Sequence, residues 1–173
     1  MTVPSIRRLV ALAAGAGALA LPGAAQADWN WTQWGMTPEA VVDASGGAIS
    51  AVEDHADYRL FGLHHLAAGT QEIGGITYEA GFLFEPGDRS LKLVNLVPDR
   101  GDCAEMEVAA KRAGDPDRQQ RDNVSLERGT PPVLMRTLEW DRDDGGKDRM
   151  ILLSAEGAGT LFCKTMILAP GVG

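Results

Sequence analysis

The chain has 173 residues, and its 45% apolar and 23% charged composition is that of a globular protein, not of a disordered, collagenous or membrane-embedded one. Its formal charge is −8 at pH 7. Such a surplus repels phosphate backbones and anionic lipid, which argues against nucleic-acid binding through a basic face and against attachment to acidic membranes.

The first segment reads as an export signal. Met1 to Arg8 is a short basic head, Leu9 to Leu21 is uncharged and mostly apolar, and Ala25-Gln26-Ala27 is a small-x-small cleavage site. The apolar run spans about 20 Å as a helix, well short of the roughly 30 Å hydrocarbon core, so it predicts a signal peptide over 1–27 and no membrane span. Loss of Arg7 and Arg8 takes the net charge from −8 to −10 in a mature chain starting at Asp28. The first cysteine is Cys103, which excludes a lipid anchor on a mature amino-terminal cysteine. The expected location is periplasmic or secreted.

The mature sequence opens with Trp29, Trp31 and Trp34. Clustered indoles offer either a possible interface or an arm fastened across the protein's own core. The arm is the favoured reading, with Trp34 expected inside and Trp29 expected outside. Thr37 can cap the first free amides of a helix, Pro38 suits its first position and Glu39 favours the positive end of its dipole. Met36 and Val41 are placed to form a hydrophobic staple, and Gly46-Gly47 ends the element.

Strands are expected next. Tyr58 to Ala67 has a mixed pattern. In contrast, Ile76, Tyr78, Ala80, Phe82 and Phe84 alternate along one face of the clearest strand, Ile76–Glu85. Pro86-Gly87-Asp88 turns the chain into Leu91–Val97, completing a hairpin. A second helix is expected from Asp102, a capping candidate, with Cys103, Met106, Ala110 and Ala113 at helical spacing until Gly114-Asp115-Pro116 stops it. Asp117 to Pro132 is polar and predicts a long exposed loop. Strands follow at Val133–Trp140, Arg149–Ser154 and Thr160–Leu168, separated by turns rich in Asp or Gly. Residues 28–100 and 101–173 thus each read as one short helix and three strands. The predicted class is α+β: tandem αβββ units, antiparallel strands and short helices on one sheet face, packed as a single domain.

Cys103 and Cys163 are the only cysteines, and in an exported chain they predict one disulfide. It would staple the second helix to the last strand and stabilise the fold by about 4 kcal/mol in the chain-entropy treatment. Two thiols with no nearby histidine make no zinc site.

Trp34-Gly35-Met36-Thr37-Pro38-Glu39-Ala40-Val41 resembles the start of the small outer-membrane-assembly lipoproteins of the SmpA/OmlA (BamE-like) type. The doubled αβββ pattern resembles the β-lactamase-inhibitor-protein architecture. The Trp-Gly-Met-Thr-Pro-Glu start, with Phe82-Leu83-Phe84 further on, is also similar to exported bacterial proteins of uncharacterised role. These resemblances imply a non-enzymatic cell-envelope protein that binds or helps assemble another protein. The lipid-modified cysteine of the assembly lipoproteins is missing here, and no inhibitor loop matches.

His64 and His65, near His55, Asp54 and Asp57, form the one compact group of catalytic residue types, the basis of an alternative reading as an exported hydrolase. Adjacent strand residues point to opposite faces, so the two imidazoles do not share an ion. No serine has a nucleophile-elbow setting and no glycine loop cradles phosphate. Asp141-Arg142-Asp143-Asp144-Gly145-Gly146 resembles a calcium loop only in its first half, since Leu152 stands where the closing Glu belongs. It is expected to be a hairpin turn. Tyr78, Phe82 and Phe84 on one face suggest a core or, as a further alternative, an apolar-ligand site. The expectation is therefore an envelope protein partner, no cofactor, no metal and no catalytic residue.

Overall fold

The computed structural model describes residue 29 and residues 31–126 and 131–173. The expected export signal, residues 1–27, lies outside them. Eight strands form one antiparallel sheet: β1 (Ile49–Ala51), β2 (His64–Ile73), β3 (Ile76–Phe84), β4 (Leu91–Pro98), β5 (Arg118–Val124), β6 (Val133–Asp141), β7 (Lys147–Ala155) and β8 (Gly159–Leu168). Two short helices accompany it, α1 (Pro38–Ala44) before β1 and α2 (Cys103–Ala113) before β5. Across the sheet the order is β1-β2-β3-β4-β8-β7-β6-β5. Two four-stranded meanders are thus joined where β4 pairs with β8, with the first strand of each at an outer edge.

This corrects the α+β expectation of tandem αβββ units. The protein is mainly β, and each helix is followed by four strands. The differences have physical causes. β1 is only three residues long. β5 reads Arg-Gln-Gln-Arg-Asp-Asn-Val, without an apolar residue until its end, because it is an edge strand held by pairing with β6 and not by burial. Seven of the sixteen residues expected as a loop over Asp117–Pro132 are therefore strand.

α1 forms as its cap dictates. The Thr37 hydroxyl accepts from Ala40 N at 3.3 Å, Pro38 occupies the first turn, and Met36 and Val41 both join the core beneath. The α2 start differs. Asp102 makes no side-chain cap and closes a 3₁₀ turn at residues 100–102, while Gly114 (φ 127°) ends the helix.

The main core lies between the helices and one sheet face. Phe82, Phe84, Leu91, Val94 and Leu152 are fully enclosed there, with Val41 from α1 and Cys103 and Met106 from α2. A smaller cluster, Leu63, Leu83, Leu93, Met166 and Leu168, lies on the opposite, helix-free face. It is covered by the connector between β1 and β2, residues 52–63, which acts as a strap, and by Val172 of the carboxy-terminal tail.

Candidate functional site

The helix-free face is where the molecule leaves chemistry uncovered. Successive cross-strand partners fix its layout. Near one end, His65, Leu83, Leu93 and Leu168 form a row beneath the strap and tail. The next row runs Ala68, Gly81, Asn95, Met166, Arg149 and Glu139. Beyond it come Thr70, Glu79 and Val97, continued by Lys164, Ile151 and Thr137. The last row holds Phe162, Leu153 and Met135.

The charges of the second row are paired. Glu139 accepts from Arg149 Nε at 2.6 Å and lies 3.3 Å from Arg118 Nε, and the Arg149 guanidinium also stacks 5.5 Å from the Phe61 ring centroid. The outer rows are different. Val97, Ile151, Leu153 and Met135 are only partly buried, and Phe162 is 38% exposed. Lys164 stands among them, partly buried, with no ion-pair partner among the described residues. Burial pushes its ammonium below the ordinary lysine range.

The strap is latched from below. Asp54 binds the Arg59 guanidinium, and its Oδ2 lies 3.0 Å from His64 Nδ1. These contacts hold the Asp54 carboxyl below its usual value, the Arg59 hydrogen bonds above all. Tyr58 leans on His65 with ring centroids 5.8 Å apart. His64 and His65 point to opposite faces, His65 toward the helix-free side beside Gly81. The Asp54–His64 pair orients an imidazole, but among the described residues no hydroxyl or thiol nucleophile hydrogen-bonds it.

No family model, curated protein or solved structure matches this chain.

The other residues singled out in the sequence fall as follows. Cys103 and Cys163 are disulfide-bonded, with Cα atoms 5.6 Å apart, and both are buried. The tryptophans form an arm fastened to the core, with the expected exposures reversed. Trp29 is the buried one, 5.5 Å from Phe82 and 5.9 Å from Trp31 between ring centroids. Trp34 is partly exposed, and its indole Nε1 donates to Asp144 Oδ2 at 3.2 Å. The Asp141–Gly146 segment is the β6–β7 turn, and Asp144 also accepts from Gly146 N at 2.8 Å. Its carboxylate thus pins the arm, a link across 110 residues that no local pattern signals. Tyr78, Phe82 and Phe84 are core.

Sequence reasoning missed Lys164, Glu79 and Asn95. The available signal was the alternation of β8, which puts Lys164 on the face opposite Cys163 and Thr165.

Proposed function

We propose that the protein is an exported, non-enzymatic binding module of the cell envelope, periplasmic or secreted, that docks a protein partner on its helix-free sheet face. The observation that carries this reading is the strip of Val97, Ile151, Leu153, Met135 and Phe162 around the unpartnered Lys164. Continuous apolar surface left uncovered on a sheet marks an interaction site, and a desolvated ammonium within it favours a partner that supplies a carboxylate. The export signal supports the location, and the disulfide and the lack of any spanning helix among the described residues are compatible with it. The resemblance of Trp34–Val41 to the outer-membrane-assembly lipoproteins supports the class of partner.

The test places a photocrosslinking amino acid at Phe162 and, separately, at exposed Val108 on α2. In living cells Phe162 should yield one discrete crosslinked envelope protein that Val108 does not, and Lys164→Glu should abolish it. Crosslinking that is equal at both sites, or that survives Lys164→Glu, overturns the reading.

A further inference from the structure

The strap ends in a tight turn, Leu60-Phe61-Gly62-Leu63, closed by a hydrogen bond from Leu63 N to the Leu60 carbonyl at 2.9 Å. Both central residues have positive φ, 53° at Phe61 and 79° at Gly62, as in a type I′ turn. Gly62 takes that conformation freely. Phe61 does not: a bulky side chain is strained there, and such turns favour Asn, Asp or Gly at the first central position. Burial does not offset the strain, since Phe61 is 52% exposed. The turn is nevertheless firmly seated. Leu63 is buried in the cluster beneath it, and the Phe61 ring lies on the Arg149 guanidinium, 5.5 Å from the ring centroid. That guanidinium is itself fixed by Glu139 at 2.6 Å. The strap thus holds a large apolar ring outward, in one orientation, where folding alone would favour a small polar residue. Its position matters too. Arg149 belongs to the sheet row next to that of Lys164 and Ile151, and Ile151 lies two residues further along β7 on the same face. Phe61 therefore stands at the border of the apolar strip, and ring and strip form one surface.

We propose that Phe61 is the anchor by which the helix-free face grips its partner, and that this partner is a folded protein with an apolar pocket of side-chain size and a carboxylate on the pocket's rim. The inference rests on the docking face proposed above and adds the shape of what that face binds. Backbone strain held at an exposed position marks a residue kept for contact with something else. An aromatic ring on a rigid turn suits that role, because it offers large contact area with little side-chain freedom left to lose. A projecting ring is enclosed by a concave receiver, whereas an extended peptide lying along the strip would leave it in solvent. Lys164, without an ion-pair partner among the described residues, sets the charge of the rim.

The experiment follows Phe61→Asn and Phe61→Tyr in thermal unfolding and in photocrosslinking from Phe162, and separately places a photoreactive phenylalanine analogue at Phe61. Asn relieves the strained backbone while deleting the ring, so the isolated Phe61→Asn protein should melt within about 2 °C of the wild type. The Phe162 crosslink should nevertheless fall about tenfold. Phe61→Tyr keeps the ring and should retain it. The analogue at Phe61 should capture the same protein, and mass spectrometry should place its attachment points on apolar residues from separate segments of that partner. A melting temperature lowered by more than about 4 °C makes Phe61 a packing residue and overturns the proposal. So does a Phe162 crosslink that Phe61→Asn leaves at full yield, or attachment confined to one short linear stretch of the partner. Capture from Phe162 but not from Phe61 overturns the anchor and leaves the docking face standing. Capture from Phe61 alone does the reverse, and capture from neither overturns both.

Discussion

Reduction of the Cys103–Cys163 disulfide is the sharpest test of how the second half of the molecule is held together. The two cysteines are 60 positions apart, and tying such points together removes about 14 cal/mol/K of chain entropy from the unfolded state, or about 4 kcal/mol at 25 °C. Domains of this size are stable by about 5–15 kcal/mol in total, so the reduced protein should still fold but with much of its margin gone. The loss should fall first on α2. Among its described side chains only Cys103 and Met106 are buried, while Ala104, Glu105, Val108 and Ala109 face solvent. Apart from these, α2 is held by the Glu107–Arg136 pair and the partly buried Ala110. An 11-residue helix is marginal without tertiary support. In urea, with a slope near about 2 kcal/mol/M, the unfolding midpoint followed by tryptophan fluorescence should drop by about 2 M on reduction. Native-state hydrogen exchange should show the α2 amides losing protection before those of β3 and β4. A midpoint shift below about 0.5 M, or α2 amides as protected after reduction as before, would refute the reasoning.

Two further outcomes follow from the same packing. Phe82→Ala removes a fully enclosed ring that holds Trp29 and Trp31 in place, at 5.5 and 5.9 Å between centroids. It should cost about 3–5 kcal/mol in urea unfolding and shift tryptophan emission to the red, and a cost below about 1 kcal/mol would mean the arm is not seated as described. Glu107→Gln breaks a bidentate contact in which Arg136 Nη1 and Nη2 donate at 3.0 and 3.1 Å. The Arg136 guanidinium holds the Glu107 carboxyl below its usual 4.5, so the pair's contribution is present above pH 4.5 and lost as pH falls through the lower folded-state value. The wild type should exceed Glu107→Gln by about 1–2 kcal/mol at pH 7 and by little near pH 3, measured by urea unfolding at both, whereas a gap independent of pH would sink the assignment.

The legible parts of the fold are those where one local rule decides. Thr37-Pro38-Glu39 starts α1 because capping, proline geometry and helix dipole agree there. Ile76–Phe84 is a strand because five alternating apolar side chains can be buried together in no other way. The parts that escaped are held by long-range pairing. β5 is polar and its strand character comes from β6, so its sequence alone reads as loop. The central junction of β4 with β8 joins chain segments about 70 residues apart, and no local periodicity encodes it. Trp29 and Trp34 changed places for the same reason: Trp29 finds Phe82, and Trp34 has an indole N–H whose partner, Asp144, sits on a distant turn. The histidines were readable as opposite-facing neighbours, but the Asp54 latch on His64 depends on the path of the strap.

The strand order also bears on where a partner can sit. An open sheet offers two kinds of surface, its edges and its faces. Here one edge is β1, three residues long, and the other is β5, whose Arg118, Arg121 and Asp122 charge the strand that an incoming chain would have to pair with. Short and charged edges discourage strand addition. One face is occupied by α1, α2 and the tryptophan arm. The strap and the tail cover the other only at the end where Leu83, Leu93 and Leu168 are closed off. With both edges short or charged, the Lys164 strip is the surface we propose for association. Because the protein's own net charge is negative, an acidic partner segment pays a long-range repulsion that only a close contact with Lys164 offsets. Raising the salt concentration should therefore speed encounter with such a partner, the reverse of what a basic partner would show.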